Sequence, residues 1–202
     1  MRIEKLTAEL GLTVCWRAYP LSPETPAEGR RLEDYLAGRD VDIPAMREKM
    51  RKVAAGQGLP FGDMRHVYNS RLAQELGKWA ETRGRGDAFH HLVFRGYFAG
   101  GRNIAQTDVL VDLAGAAGLP PGEAEAVIAE RRFAGAVDRD WQRARELDIV
   151  VVPTFLADGR RLAGVHSYQK LRRLVTGGTP DSDGRSRDAA HPGMVGPMEG
   201  NA

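Results

Sequence analysis

The run "LDIVVVPTFLADGRRLAG", Leu147 to Gly164, limits the possible folds of this chain more than any other stretch. Its valines, Thr154 and Phe155 favour a pleated strand. Pro153 stands among them with no N–H to give to a ladder, and so does not belong inside a central strand. It is tolerated at a strand's first residue. The spacing predicts "IVVVPTFLA" as a strand, "DGR" as a tight turn and "RLAG" as the partner strand of a β-hairpin. "SYQKLRRLV" then predicts a final helix, with Ser167 as its N-cap.

Upstream, residues 2–10 predict a short helix with Ile3, Leu6 and Leu10 on one face, stopped by Gly11. "LTVCWRAYPL" alternates and is rich in β-formers, so a strand is expected to end at Pro20. From about residue 30 to 148 the periodicity is helical. Pro44 suits the first turn of a helix that Gly56 or Gly58 ends, and Asn69 is placed to cap "NSRLAQELGKWAE", whose stripe is Leu72, Leu76, Trp79 and Ala80. A further helix is expected from a Thr107 or Asp108 cap to near Gly118, another after Pro121, and a last one over "FAGAVDRDWQRARELD". Residues 177–202 are Gly-, Pro- and Asp-rich without periodicity, which predicts a disordered tail. A helical block thus separates one strand from a later hairpin, the pattern of an insertion into a small α/β domain.

Composition excludes several function classes. With 42% hydrophobic and 28% charged residues, the 202 residues can bury a real core. A net charge of +2, with both signs interspersed, is no nucleic-acid footprint. No apolar run approaches the roughly 20 residues of a membrane span, and "MRIEKLTAEL" is no secretory signal. Cys15 is the single cysteine, so no internal disulfide forms and a cytoplasmic location is expected.

"WRAYPLSPETPAEGRRLEDYLAG", "LPFGDMRHVYNSRLAQELGKWAE", "FHHLVFRGYFAGGRNIAQTDVLVDLA" and "VVPTFLADGRRLAGVHSYQKL", in this order, resemble DsbA-like thiol–disulfide oxidoreductases of the FrnE-like type. The resemblance covers about residues 2–176. It implies an α/β thioredoxin-like fold with a large all-helical insertion: residues 1–29 and 136–176 would form the thioredoxin-like domain and 30–135 the insertion. It also implies a cis bond before Pro153, at the head of its strand, with Val152, Pro153 and Thr154 forming the substrate-binding wall. The family's Cys-x-x-Cys follows its first strand and opens its first helix, where the helix dipole activates one thiol and the second resolves the mixed disulfide. "RIEKLTAEL" is similar to the end of that helix, so the first core strand and the motif are missing, and a start codon further upstream is expected. Without that strand, the chain is expected to be unstable or sticky at the opened sheet edges. A protein or small-thiol disulfide substrate is the implied partner. A non-catalytic binding protein of this fold, and a glutathione-dependent transferase or hydroxychromene-carboxylate isomerase relative, are the alternatives.

No catalytic residue, metal site or cofactor is assigned. Cys15, in mid-strand, reads as a buried apolar residue. His90 and His91 project about 100° apart on a helix and cannot share a metal. "RGRG" at Arg83–Gly86 and "GGRNI" with Arg102 and Asn103 read as turns. Trp16, Phe89, Phe94, Tyr97, Phe98 and Trp141 are expected mostly in the core.

Overall fold

The computed structural model describes residues 2–177. In chain order its elements are α1 (Arg2–Leu10), β1 (Arg30–Arg31), α2 (Leu32–Tyr35), α3 (Ile43–Ala55), β2 (His66–Val67), α4 (Arg71–Thr82), α5 (Gly86–Phe98), α6 (Thr107–Ala116), α7 (Pro121–Ala129), α8 (Ala134–Glu146), β3 (Thr154–Ala157), β4 (Arg160–Ala163) and α9 (Tyr168–Thr176). They fall into two compact units, residues 22–142 and residues 1–21 with 143 onward.

The 22–142 unit holds two apolar clusters. In the first, α4, α5, α6 and α7 enclose Leu76, Ala80, Phe89, Leu110, Ala114 and Ala124, each without solvent exposure. Ala73, Leu76 and Ala80 lie on one face of α4, as the 3.6-residue repeat requires. Gly77 lets α5 approach closely, since a Cβ there would lie 2.9 Å from His90 Nε2. Each large side chain removed from water contributes about 1.5–3 kcal/mol. The second cluster is Leu32, Tyr35, Leu36, Met64 and Val67, half covered by Ile43, Met46 and Met50 of α3. Here the block is not all helical: β1 and β2 pair antiparallel, Arg30 opposite Val67 and Arg31 opposite His66. Two residues per strand are too few to show a period-2 pattern.

Helix ends follow their capping chemistry. Asp42 accepts from the Ala45 N–H at 2.9 Å, with Pro44 in the first turn of α3. Ser70, not Asn69, is the N-cap of α4. Asn69 Oδ1 accepts from the Arg71 N–H at 2.9 Å, while its Nδ2 donates to the carbonyls of Pro23 at 3.0 Å and Thr25 at 2.8 Å, which pins the preceding loop. α6 starts at Thr107, one residue after its N-cap Gln106.

In the other unit, α1 packs on α9 and α9 on the β3–β4 hairpin, with Leu6 and Leu171 buried. The strand expected over 12–19 does not form. A strand exists only where a neighbour completes its ladder, and among the described residues none pairs with this segment. Residues 149–153 also lie outside β3, which begins only at Thr154. Residues 178–202 of the expected tail lie outside the described residues.

Candidate functional site

The hairpin is built as its turn chemistry dictates. Ala157 opposes Arg160, leaving Asp158 and Gly159 as a two-residue loop with φ of 48° and 76°. Positive φ at both positions is the primed turn that matches strand twist, and Asp-Gly is suited to it. The Val152–Pro153 peptide bond is cis. The Pro153 carbonyl accepts from the Gly164 N–H at 2.7 Å, just beyond the last residue of β4.

Register then fixes which way the backbone faces. Pairs that exchange hydrogen bonds alternate along an antiparallel ladder. With Pro153 bonded to Gly164, the bonded positions on β3 are Phe155, opposite Leu162, and Ala157, opposite Arg160. Thr154 and Leu156 therefore turn N–H and C=O away from β4, onto an edge that no strand among the described residues covers. Thr154 Oγ1 donates to the Val151 carbonyl at 2.5 Å, which fixes the bend before the strand. Pro153 is exposed, with Val152 and Thr154 half-buried beside it. Val150 at 63%, Val151 at 39% and Leu156 at 47% exposure add apolar surface along the same run.

The hairpin is anchored within its unit. Arg161 reaches back to the carbonyls of Leu147 and Asp148, and Arg2 Nη1 donates to the His166 carbonyl at 3.0 Å. Ser167 Oγ accepts from the Lys170 N–H at the start of α9, as its N-cap position predicts. The Tyr168 hydroxyl donates to Glu9, and this bond holds the phenol above its ordinary pKa.

The remaining candidates separate clearly. Cys15 is exposed, not buried, because the sheet that would cover it is not formed around it. Trp16, at 39% exposure, and Phe94, at 56%, are likewise outside the core, whereas Phe89 is fully buried. Trp141 Nε1 donates to Gln74 Oε1 at 2.8 Å, and the Arg71 guanidinium lies 4.6 Å from its ring centre. Tyr97 donates to the His66 carbonyl at 3.2 Å, and burial pushes its phenol up to about 12. His90 is lowered by burial against α4, and His91 is exposed. Arg83 pairs with Glu123 at 2.5 Å and Arg102 with Asp112 at 2.7 Å, while Asn103 Nδ2 donates to the Ala27 carbonyl at 2.8 Å; these turns hold the fold together. No group of three His, Cys, Asp or Glu side chains with metal-binding geometry occurs among the described residues.

Sequence reasoning missed the free edge of β3 and a buried carboxylate. The hairpin register could have shown the first. Glu75, 2% exposed on α4, takes a fork of bonds from Arg131 at 2.6 and 2.8 Å and one from Arg71 at 2.5 Å. Arg71 precedes it by four residues, a visible pairing signal, but Arg131 lies 56 positions away.

The chain resembles known proteins along most of its length. A probable DsbA oxidoreductase of Streptomyces coelicolor is 26% identical, with a TM-score of 0.80 over 89% of this chain and 84% of that one. A putative protein disulfide isomerase of Nitrosomonas europaea, 17% identical, shares the fold with a TM-score of 0.55 over 65% of this chain and 70% of that one. No curated protein sequence matches. The family model described as the DSBA-like thioredoxin domain matches residues 1–176. The chain belongs to the family of DSBA-like thioredoxin domains.

Proposed function

We propose that this chain is a DsbA-type domain that receives an extended polypeptide, or a small disulfide-bearing thiol compound, at Val152, Pro153 and Thr154. The observation that carries the reading is the β3 edge, where an exposed proline stands beside the outward N–H and C=O of Thr154 and Leu156. A peptide laid along this edge gains main-chain hydrogen bonds, and the apolar run around Pro153 receives its side chains. The name of the Streptomyces relative, a probable DsbA oxidoreductase, supports a disulfide as the natural cargo. The 202 residues hold one thiol. Attack by Cys15 on a disulfide would form one mixed disulfide and expel one thiolate, and a second thiol must then resolve it. Alone, the chain therefore binds without turning over.

The test is amide NMR on the 15N-labelled chain during titration with an extended peptide that carries a cysteine blocked by glutathione. The Thr154 and Leu156 amides should shift most, while those of Phe155 and Ala157, already bonded to β4, should move least. Insulin reduction by the chain alone should stay at background. Shifts confined to other segments would overturn the binding site, and catalytic insulin reduction would overturn the one-thiol argument.

A further inference from the structure

A cavity of about 150 Å³ lies within the 22–142 unit, lined by residues 63–66 and Tyr68 together with Tyr97 of α5 and Gly101. A protein cavity of about this volume has room for one benzene ring. The lining suits a flat guest. The His66 and Tyr68 rings are near-parallel, with centres 5.7 Å apart and 10° between their planes. Tyr97 meets Tyr68 edge-on, at 6.0 Å and 65°. Aromatic rings associate in these offset-stacked and edge-to-face arrangements, at centre separations of about 4.5–7 Å. A third ring in the cavity extends the same pattern. Met64, buried, adds an apolar side chain to the lining, and Gly101 adds none.

The polar groups of the lining select the substituent on that ring. Tyr97 is committed, since its hydroxyl donates to the His66 carbonyl at 3.2 Å. The Tyr68 hydroxyl and the His66 imidazole are half-buried and make no hydrogen bond to another of the described residues. Arg65 is held by Asp63 at 3.2 Å, with its side chain 73% exposed. Asp63 also faces Arg51 at 3.7 Å, and Arg51 and Lys52 share Glu48. Three cations and two carboxylates thus form one linked cluster with a positive charge to spare, and an arginine of that cluster lines the cavity. A guanidinium binds a carboxylate more strongly than it binds a neutral acceptor. We infer that this cavity binds a one-ring aromatic carboxylate of the benzoate class. The ring packs against His66, Tyr68 and Tyr97, and the carboxylate accepts from Arg65 and from the Tyr68 hydroxyl. The site lies wholly in the 22–142 unit and does not depend on the function proposed above.

The experiment titrates the 15N-labelled full chain with benzoate. Cyclohexanecarboxylate serves as an acid without a π face, and benzyl alcohol as a ring without charge. Benzoate should shift the His66, Tyr68 and Gly101 amides saturably, and should bind at least about fivefold tighter than either control. Arg65→Gln, on an exposed side chain, should weaken benzoate about tenfold and leave benzyl alcohol unchanged. Tyr68→Phe keeps the ring and its packing, and should weaken benzoate about threefold. Both variants should melt like the parent chain. Equal affinity for benzoate and cyclohexanecarboxylate would overturn the inference, because the rings would then play no part. So would an Arg65→Gln chain that binds benzoate as well as the parent. The absence of saturable shifts up to about 20 mM benzoate, or shifts confined to other segments, would overturn it too.

Discussion

Glu75→Gln removes the charge from a buried carboxylate that takes three bonds from two guanidinium groups. Glutamine keeps the shape of the side chain but turns one acceptor into an N–H₂ group, which then faces guanidinium donors. Breaking a buried ion pair from one side costs about 3–5 kcal/mol. Two features lower that figure here. The Arg131 side chain is 50% exposed and regains water, and Arg71 keeps Asp138 at 2.7 Å and the Ala134 carbonyl at 3.0 Å. The expected loss is about 2 kcal/mol, which for a chain of this size lowers the melt by about 4–8 °C. Circular-dichroism melts and urea titrations of parent and variant at pH 7 measure it. The same pair gives a pH signature. Burial alone would raise the Glu75 pKa, but the bonds from Arg131 and Arg71 more than reverse this and leave it below its ordinary value of 4.5. A carboxylate depressed by folding stabilises fully above its unfolded pKa, and that stability is lost as pH falls through the folded one. The gap between parent and variant should therefore shrink from about pH 4.5 downward. Melts within 1 °C of each other at pH 7, or a gap that persists unchanged to pH 3, would refute the reasoning.

Two further outcomes are expected. Gly29 has φ of 86°, and a Cβ there would stand 2.4 Å from Tyr68 Cδ1, on a ring stacked against His66; Gly29→Ala should cost about 2–3 kcal/mol in urea unfolding, and a loss under 0.5 kcal/mol would show that the Tyr68 ring swings away freely. Cys15 should react with Ellman's reagent to one equivalent per folded chain, and reaction only after unfolding would contradict its exposure.

Much of the fold was legible because its signals were local. The Asp158–Gly159 turn, the Ser167 cap, Pro44 in the first turn of α3 and the α4 stripe each depend on residues a few positions apart. Expectations failed where a distant partner decides. Leu12–Tyr19 has the alternation of a strand, but alternation without a neighbouring ladder leaves the segment without regular structure and Cys15 in solvent. Phe94 has core composition, and only tertiary packing could show that it lies outside both apolar clusters. The Pro153 position was visible in sequence, since proline is restricted in where it can enter a sheet. The outward direction of Thr154 and Leu156 became readable only once the register of β3 on β4 was known.

Of the buried apolar side chains among the described residues, only Leu6, Ala144 and Leu171 belong to the unit that carries Pro153; the others lie in residues 22–142. Cohesion and, on the function proposed above, binding are thus assigned to different parts of the polypeptide. Random substitutions in the helical unit meet a dense core and are purged for instability, whereas those around the hairpin meet mostly solvent and, on the same proposal, are judged by what they bind. On that proposal, such a division leaves the hairpin free to drift toward new ligands at little thermodynamic penalty, and it makes the hairpin loop the natural place to begin when redirecting this scaffold by laboratory evolution.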